Sequence, residues 1–452
     1  MASLVSRLSL PEALGLSLSV ISPTVTAAFH ITLVVQATGP AAPLAFAIGM
    51  VAMGLIALSF MAFSRRVAHA GSAYAYIAQT FGNRIGFAAG WTMLLTYVGF
   101  ATGFAALVGS FGCAVLQTAG IATGPLWIFI GCASMLIAWW LTYRDMRVAG
   151  RLMLILEVAA IVGITVLCFD ILRQVHPSSD EVLSTWKPST EFGGWTGLGF
   201  GMVFSFLCFA GFEGAACLGE ETRQPRRNIP IALFGTLIFS GLFFAFVAYC
   251  EVVGFGPRGI HALAKASTPL NDLALRYASP RLAIALDLAA AVSCFSGVIG
   301  GLAAAGRILF ALGRAGLSPA LGEVHPVHRQ PCAAVSVAAI MIIVPFVLWA
   351  PFAGAAGFYS ATSTIGVLAL ILIYIGVGVA EAVETWGRRP LWAMLCLCGP
   401  VLLLWVLYRN VYPIPEYPNN LWPYVALAWL ASSALIIRSR PAVGQSSAVT
   451  AV

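Results

Sequence analysis

Ser22-Pro23-Thr24 lies in the middle of the first long apolar run of the chain, and Ala210-Gly211-Phe212-Glu213-Gly214 lies late in the sixth. Proline has no N–H and clashes with the preceding turn, while glycine lets a chain leave the helix altogether. In a soluble helix such a break only bends the rod. In hydrocarbon it exposes N–H and C=O groups at several kcal/mol each, unless they line a cavity or meet a ligand. Two such breaks, each in the first span of a set of five, are the pattern expected of a carrier with its site near the bilayer midplane.

Composition places the chain in a membrane. It has 452 residues, 60% hydrophobic and 9% charged, with mean hydropathy +0.92, whereas a soluble domain is roughly 25% charged. No Asp, Glu, Lys, Arg or His occurs from 31 to 64, from 85 to 143 or from 330 to 380. Each run exceeds the roughly 20 residues of one crossing, and each is punctuated inside, at Gly39-Pro40, at 120–125 and at 354–357. Shorter runs at 192–212, 228–250, 288–306, 390–408 and 417–437, a span at 152–169 carrying Glu157, and a first span at 13–38 bring the tally to twelve helices.

The two breaks stand 189 residues apart (22 to 211). Five spans is an odd number, so two such halves insert with opposite orientation. The expected fold is an all-α integral membrane protein of twelve transmembrane helices. Helices 1–5 (about 11–173) and 6–10 (about 195–382) form a 5+5 inverted repeat with discontinuous helices 1 and 6. Two accessory helices follow at about 390–437. One transporter domain covers 1–440, and the Ser/Ala/Val-rich tail 441–452 reads as disordered.

Basic residues set the orientation. With the N-terminus inside, 17 of the 24 Lys and Arg fall in inner loops, and most of the rest fall in two long outer loops where the bias is weak. Both termini are therefore expected in the cytoplasm. This topology accounts for the net charge of +7, which then argues for a lipid bilayer as partner and for no nucleic acid. The first apolar stretch runs past Pro23 into a full span, unlike a cleaved signal peptide. Ten cysteines lie almost all within or at the ends of spans, without metal spacing, and read as small buried hydrophobes. No metal and no cofactor are expected.

Three stretches carry a family resemblance. Ala70-Gly71-Ser72-Ala73-Tyr74-Ala75-Tyr76 leads through Phe81-Gly82 to Gly86-Phe87-Ala88-Ala89-Gly90-Trp91. Phe209-Ala210-Gly211-Phe212-Glu213-Gly214 is followed by Leu218-Gly219-Glu220-Glu221-Thr222 and Pro225-Arg226-Arg227-Asn228-Ile229-Pro230. Gly306-Arg307-Ile308-Leu309-Phe310-Ala311-Leu312 and Gly313-Arg314-Ala315-Gly316-Leu317 end the eighth span. Together they resemble the amino acid–polyamine–organocation permease superfamily, whose members have the leucine-transporter fold. Where many members carry a Gly-rich turn in helix 1, this chain has Ser22-Pro23-Thr24. The proline removes one backbone donor and the neighbours add two hydroxyls.

The resemblance implies a substrate site at the two breaks, formed by Ser22, Pro23, Thr24, Val25 and Thr26 with Phe209, Ala210, Gly211 and Phe212. Half-helix N-termini attract anionic groups and C-termini cationic ones, an arrangement suited to a zwitterionic amino acid. One of Phe209 and Phe212 is expected to close over the substrate, the alternative for each being core packing. Glu213 reads either as a cation anchor near the gate or as a hydrogen-bonded structural acid. At the inner face, Glu220 and Glu221 are gate candidates that would pair with Arg65, Arg66 or Arg307; the alternative is ordinary loop charge. His30 reads as bonded to a backbone carbonyl or lining the pore, and Asp287 as a rim residue.

Glu157 stands alone in the fifth span. An intramembrane acid is a functional candidate by default, its alternative being an acid paired near Arg151. Sodium coupling in the resembled fold needs helix 1 carbonyls and helix 8 hydroxyls. Ser293 and Ser296 lie one turn apart but form no adjacent pair. Glu157, able to carry a proton, is the better coupling candidate. The expected activity is proton-coupled uptake of neutral amino acids through the cytoplasmic membrane by alternating access, with a polyamine or other organic amine as the alternative substrate. An enzyme would need a catalytic cluster, yet the six histidines are scattered at 30, 69, 176, 261, 325 and 328. A channel would need filter loops or a charged ring.

Overall fold

The computed structural model describes residues 8–67, 71–118, 120–144, 146–266, 268–412, 414 and 417–438. The tail 441–452, read above as disordered, lies outside them. Among the described residues, eleven stretches are long and apolar enough to cross a membrane. The first of these, Leu10–Ser64, is 55 residues long. As one helix it would extend roughly 80 Å against a hydrocarbon core of about 30 Å. It turns instead at Gly39 (φ 58°), and so supplies two crossings and brings the total to twelve.

Spans 1 to 5 are Leu10–Thr38 (in pieces), Ala42–Ser64, Asn83–Thr118, Leu126–Arg144 and Met146–Gln174. Spans 6 to 10 are Gly194–Leu218 (in pieces), Pro225–Phe255, Pro280–Arg314, Cys332–Ala353 and Ala355–Thr385, and spans 11 and 12 are Pro390–Val411 and Trp422–Arg438. The internal punctuation of the charge-free runs falls where the chain reverses: Gly39, Gly120, Gly124 and Gly354 all have positive φ. Short helices Ser179–Ser184, Ile260–Lys265 and Pro269–Tyr277 occupy the long loops before spans 6 and 8.

Both expected breaks are present. Span 1 is Leu10–Ile21, a short Pro23–Val25 turn, a π-helical turn Thr26–His30, then Ile31–Thr38. Span 6 is Gly194–Phe209 followed by a tight 3-10 segment, Phe212–Leu218. Around them, span 8 and span 10 lie along span 3, span 7 along span 2, and span 5 against spans 1 and 8.

Helices in lipid gain little from hydrophobicity against one another, so contact depends on small residues. Gly99 of span 3 lies against the Thr362 carbonyl, and Gly366 of span 10 against Phe100. Span 12 is fastened to span 3 by stacked Trp91 and Trp429, their centroids 4.8 Å apart, and by the Trp429 indole N–H donating to the Trp91 carbonyl at 2.7 Å.

Candidate functional site

At the first break Ser22 adopts the left-handed conformation (φ 49°, ψ 73°), its N–H capping Leu18. The next residue with an N–H is Thr24. That N–H leaves the helix ladder and donates to Glu157 Oε1 at 3.2 Å, and the Thr24 hydroxyl reaches the same oxygen at 3.2 Å. Across the cleft the Ser293 hydroxyl of span 8 donates to Glu157 Oε2 at 2.5 Å and lies 2.9 Å from the Ser22 hydroxyl. All four side chains are buried. A carboxyl from span 5 therefore seals the break in span 1 and ties it to span 8. Two of its three bonded partners are hydroxyls, which donate or accept as required. Only the Thr24 N–H is an obligate donor, so the group accommodates both the carboxylate and the acid. Arg151, the other partner considered for Glu157, pairs with Glu12 at 3.1 Å.

At the second break Ala210 is extended (ψ 132°) and Gly211 is left-handed (φ 98°). A Cβ on Gly211 would collide with the Val20 side chain, so the two broken segments meet at a position where side-chain volume is excluded. Ser17 stitches their inner halves together: its hydroxyl donates to the Phe212 carbonyl at 2.8 Å and accepts from the Ala215 N–H at 2.9 Å. Among the described residues, Glu213 is bonded to no cation. Its oxygens accept from the Tyr97 phenol at 2.8 Å and from the Tyr374 phenol, which also accepts the Gly211 N–H at 3.3 Å.

Phe212 packs between Phe60 and Tyr374 and Phe209 against Phe244. Both rings are fully buried, and in this conformation both belong to the core. Val25 and Thr26 are buried too. Ser296, also buried, lies one turn from Ser293 on span 8.

The end of span 8 holds a buried ion pair. Arg307 is 0% exposed and Glu221 4%. The guanidinium meets Oε1 at 2.8 Å and Oε2 at 3.2 Å and donates further to Gln330 at 2.8 Å and the Ala303 carbonyl. Glu220 pairs with Arg314 at 2.8 Å, nearer the surface. Arg66 turns to Glu381 and Glu384 of span 10, and Arg65 is exposed. Of the pairings expected at the gate, the structure forms Arg307 with Glu221. Arg66 of the 2–3 loop serves span 10 instead.

Beyond the break in span 1, His30 is bonded not to a backbone carbonyl but to the Tyr359 phenol, 2.7 Å from Nε2, and it stacks on that ring. Asp287 accepts from Asn271 of the outer loop at 2.7 Å. Among the described residues, no group of three His, Cys, Asp or Glu is placed to hold a metal ion.

Sequence reasoning missed Ser17, Tyr97 and Tyr374, which carry no one-dimensional signal, since hydroxyls in apolar helices are common. It also missed Glu251, whose signal was available: a lone acid in the seventh span, the same kind of signal that singles out Glu157.

The broken first and sixth spans, sealed and stitched as described, are matched by sequence. The family model described as amino acid permease covers residues 8–437. The chain belongs to the amino acid permease family. It is therefore a multi-pass membrane transporter and not an enzyme. The branched-chain amino acid permease BcaP of Lactococcus lactis is 26% identical over 393 residues, 82% of this chain and 83% of that protein. The low-affinity putrescine importer PlaP of Escherichia coli is 26% identical over 299 residues, 64% and 63%. The Bacillus subtilis BcaP is 25% identical over 317 residues, 65% and 64%. This permease thus spans less than two thirds of the latter two.

Proposed function

We propose that this permease takes up neutral amino acids across the cytoplasmic membrane together with a proton, both termini lying in the cytoplasm and Glu157 carrying the proton. The observation that carries the reading is the Glu157 group, where one carboxyl holds the broken turn of span 1 through Thr24 and span 8 through Ser293. Gain or loss of its proton reorganises hydroxyl donors on two helices whose relative movement alternating access requires. Backbone at Ser22–Thr26 and Ala210–Phe212 would hold the amino and carboxyl groups, and Arg307 with Glu221 would close the inner face. The likeness to two branched-chain amino acid permeases supports a neutral side chain.

The likeness to a putrescine importer supports the second reading, an organic amine. Against it, both oxygens of Glu213 are already taken by phenols. In proteoliposomes an inward proton gradient without sodium is expected to drive accumulation of leucine or alanine, with putrescine competing poorly. Glu157→Gln is expected to remove gradient-driven accumulation while keeping substrate-for-substrate exchange. Strict sodium dependence, or full accumulation by Glu157→Gln, overturns the assignment.

A further inference from the structure

A second intramembrane acid has been given no task. Glu251 lies one turn inside the outer end of span 7 (Pro225–Phe255). It is 1% exposed, and among the described residues neither carboxyl oxygen has a hydrogen-bond partner. An ionised carboxyl in such a place costs far more than an unpaired neutral group, unless a cation or water reaches it.

Among the described residues no side-chain cation is bonded to it: Arg173 of span 5 pairs with Asp170, and Arg258 of the turn after span 7 is exposed. Across the seam lies the Cys168 thiol of span 5, beside Cys250, the neighbour of Glu251 in sequence. Span 2 (Ala42–Ser64) contributes no titratable group. The outer helix Pro269–Tyr277 brings Arg276 and Tyr277, but both donate to the Gly254 carbonyl, and its Asp272 carries the wrong sign. His261 of the preceding helix pairs with Glu191, and Lys265 is exposed. His30 of the π turn is bonded to Tyr359. On the inner side, Glu12 and Glu213 are bonded elsewhere, and Cys217 is bonded to Tyr97. The seam as packed accommodates the carboxylic acid.

Position gives this acid a use. Cys168 stands 11 residues, three helical turns, beyond Glu157 on span 5, so both lie on one face about 16 Å apart. Buried Ala160 and Ile164 lie between them. Glu251 thus occupies the outer end of the face whose middle holds Glu157. We propose that Glu251 is a second proton-binding site of this permease, loaded while spans 5 and 7 are packed and emptied when they part. On parting, its O–H bond breaks, the proton passes to water at the outer face, and the carboxylate left behind is solvated. Acid outside then favours the packed seam and alkali the parted one. The inference depends neither on what is carried nor on Glu157.

Infrared spectra of the protein in lipid nanodiscs test it, with Glu157→Gln as a spectral control. At acid pH a carboxylic-acid carbonyl band is expected that survives in Glu157→Gln, is absent in Glu251→Gln, moves in Glu251→Asp and fades on alkalinisation. Cys250, kept as the single cysteine in liposomes, reports the seam through an impermeant thiol reagent. Its labelling rate, divided by that of the same single-cysteine protein carrying Glu251→Gln, is expected to rise with external pH by up to about tenfold per unit, the limit for one proton. Taking this ratio removes the thiol's own titration. An acid band identical in wild type and both Glu251 variants, or a ratio flat across pH, overturns the proposal. Loss of proton-driven uptake in Glu157→Gln has no bearing on either result.

Discussion

Gly211 is where one atom decides most. Its left-handed φ disfavours any L residue by about 1–2 kcal/mol, and a Cβ there meets Val20. Gly211→Ala is expected to lose most uptake and to lower the thermal midpoint. Pairing it with Val20→Ala removes the collision but not the backbone strain, so part of the stability should return. A double mutant no more stable than Gly211→Ala shows that Val20 is not what excludes the side chain. Glu213 makes a second residue-scale case. Removing the Tyr97 hydroxyl leaves a buried oxygen without its donor, a loss of about 1–3 kcal/mol. Tyr97→Phe should therefore destabilise more than a surface Tyr→Phe such as Tyr424→Phe, a comparison that a thermal-shift series in detergent makes directly.

At the scale of the element, Ser17 ties Leu10–Ile21 of span 1 to Phe212–Leu218 of span 6 by bonding to both ends of the short turn Phe212–Ala215. Ser17→Ala removes a donor and an acceptor together and orphans one N–H. The expected outcome is a slowed transport cycle with expression retained; unchanged uptake kinetics separate the two halves. The end of span 8 makes a stronger joint. Breaking one partner of a buried ion pair costs about 3–5 kcal/mol, whereas replacing both by apolar groups is often neutral. Glu221→Gln or Arg307→Gln alone should strongly destabilise, and Arg307→Met with Glu221→Leu should recover much of the loss while leaving the inner face poorly regulated. Thermal midpoints of the three variants check the order.

Across the whole molecule, the distribution of charge bears on the proposed neutral substrate. Arg307 is the deep cation of span 8 and is already committed to Glu221 and Gln330. A second carboxylate on a substrate would meet no free partner at the two breaks. Uptake of labelled glutamate is expected to stay below that of alanine or leucine, and the reverse order would exclude the proposed site. The proposed coupling to a proton also fixes a sign: lowering external pH raises the driving gradient, so uptake should increase as the outside is acidified and collapse with a protonophore.

The sequence by itself determined the architecture. Apolar runs longer than one crossing, divided at Gly39, at 120–125 and at Gly354, leave few ways to thread a bilayer, and a Pro or Gly in mid-span announces a broken helix because hydrocarbon forgives no exposed backbone. It also marked Glu157, since a lone acid in an apolar span needs a reason. Only the tertiary structure decided what such groups meet. That Glu157 reaches Thr24 and Ser293, 133 and 136 positions away, that Glu213 belongs to two tyrosines, and that Arg66 serves span 10 while Arg307 holds Glu221 are facts of helix rotation and depth. Nearly every face of these helices is apolar, so hydrophobic periodicity, which tells a soluble helix which way to turn, carries almost no information here. Close packing of small residues and the pairing of rare polar groups set the rotation instead, and both are settled between distant segments.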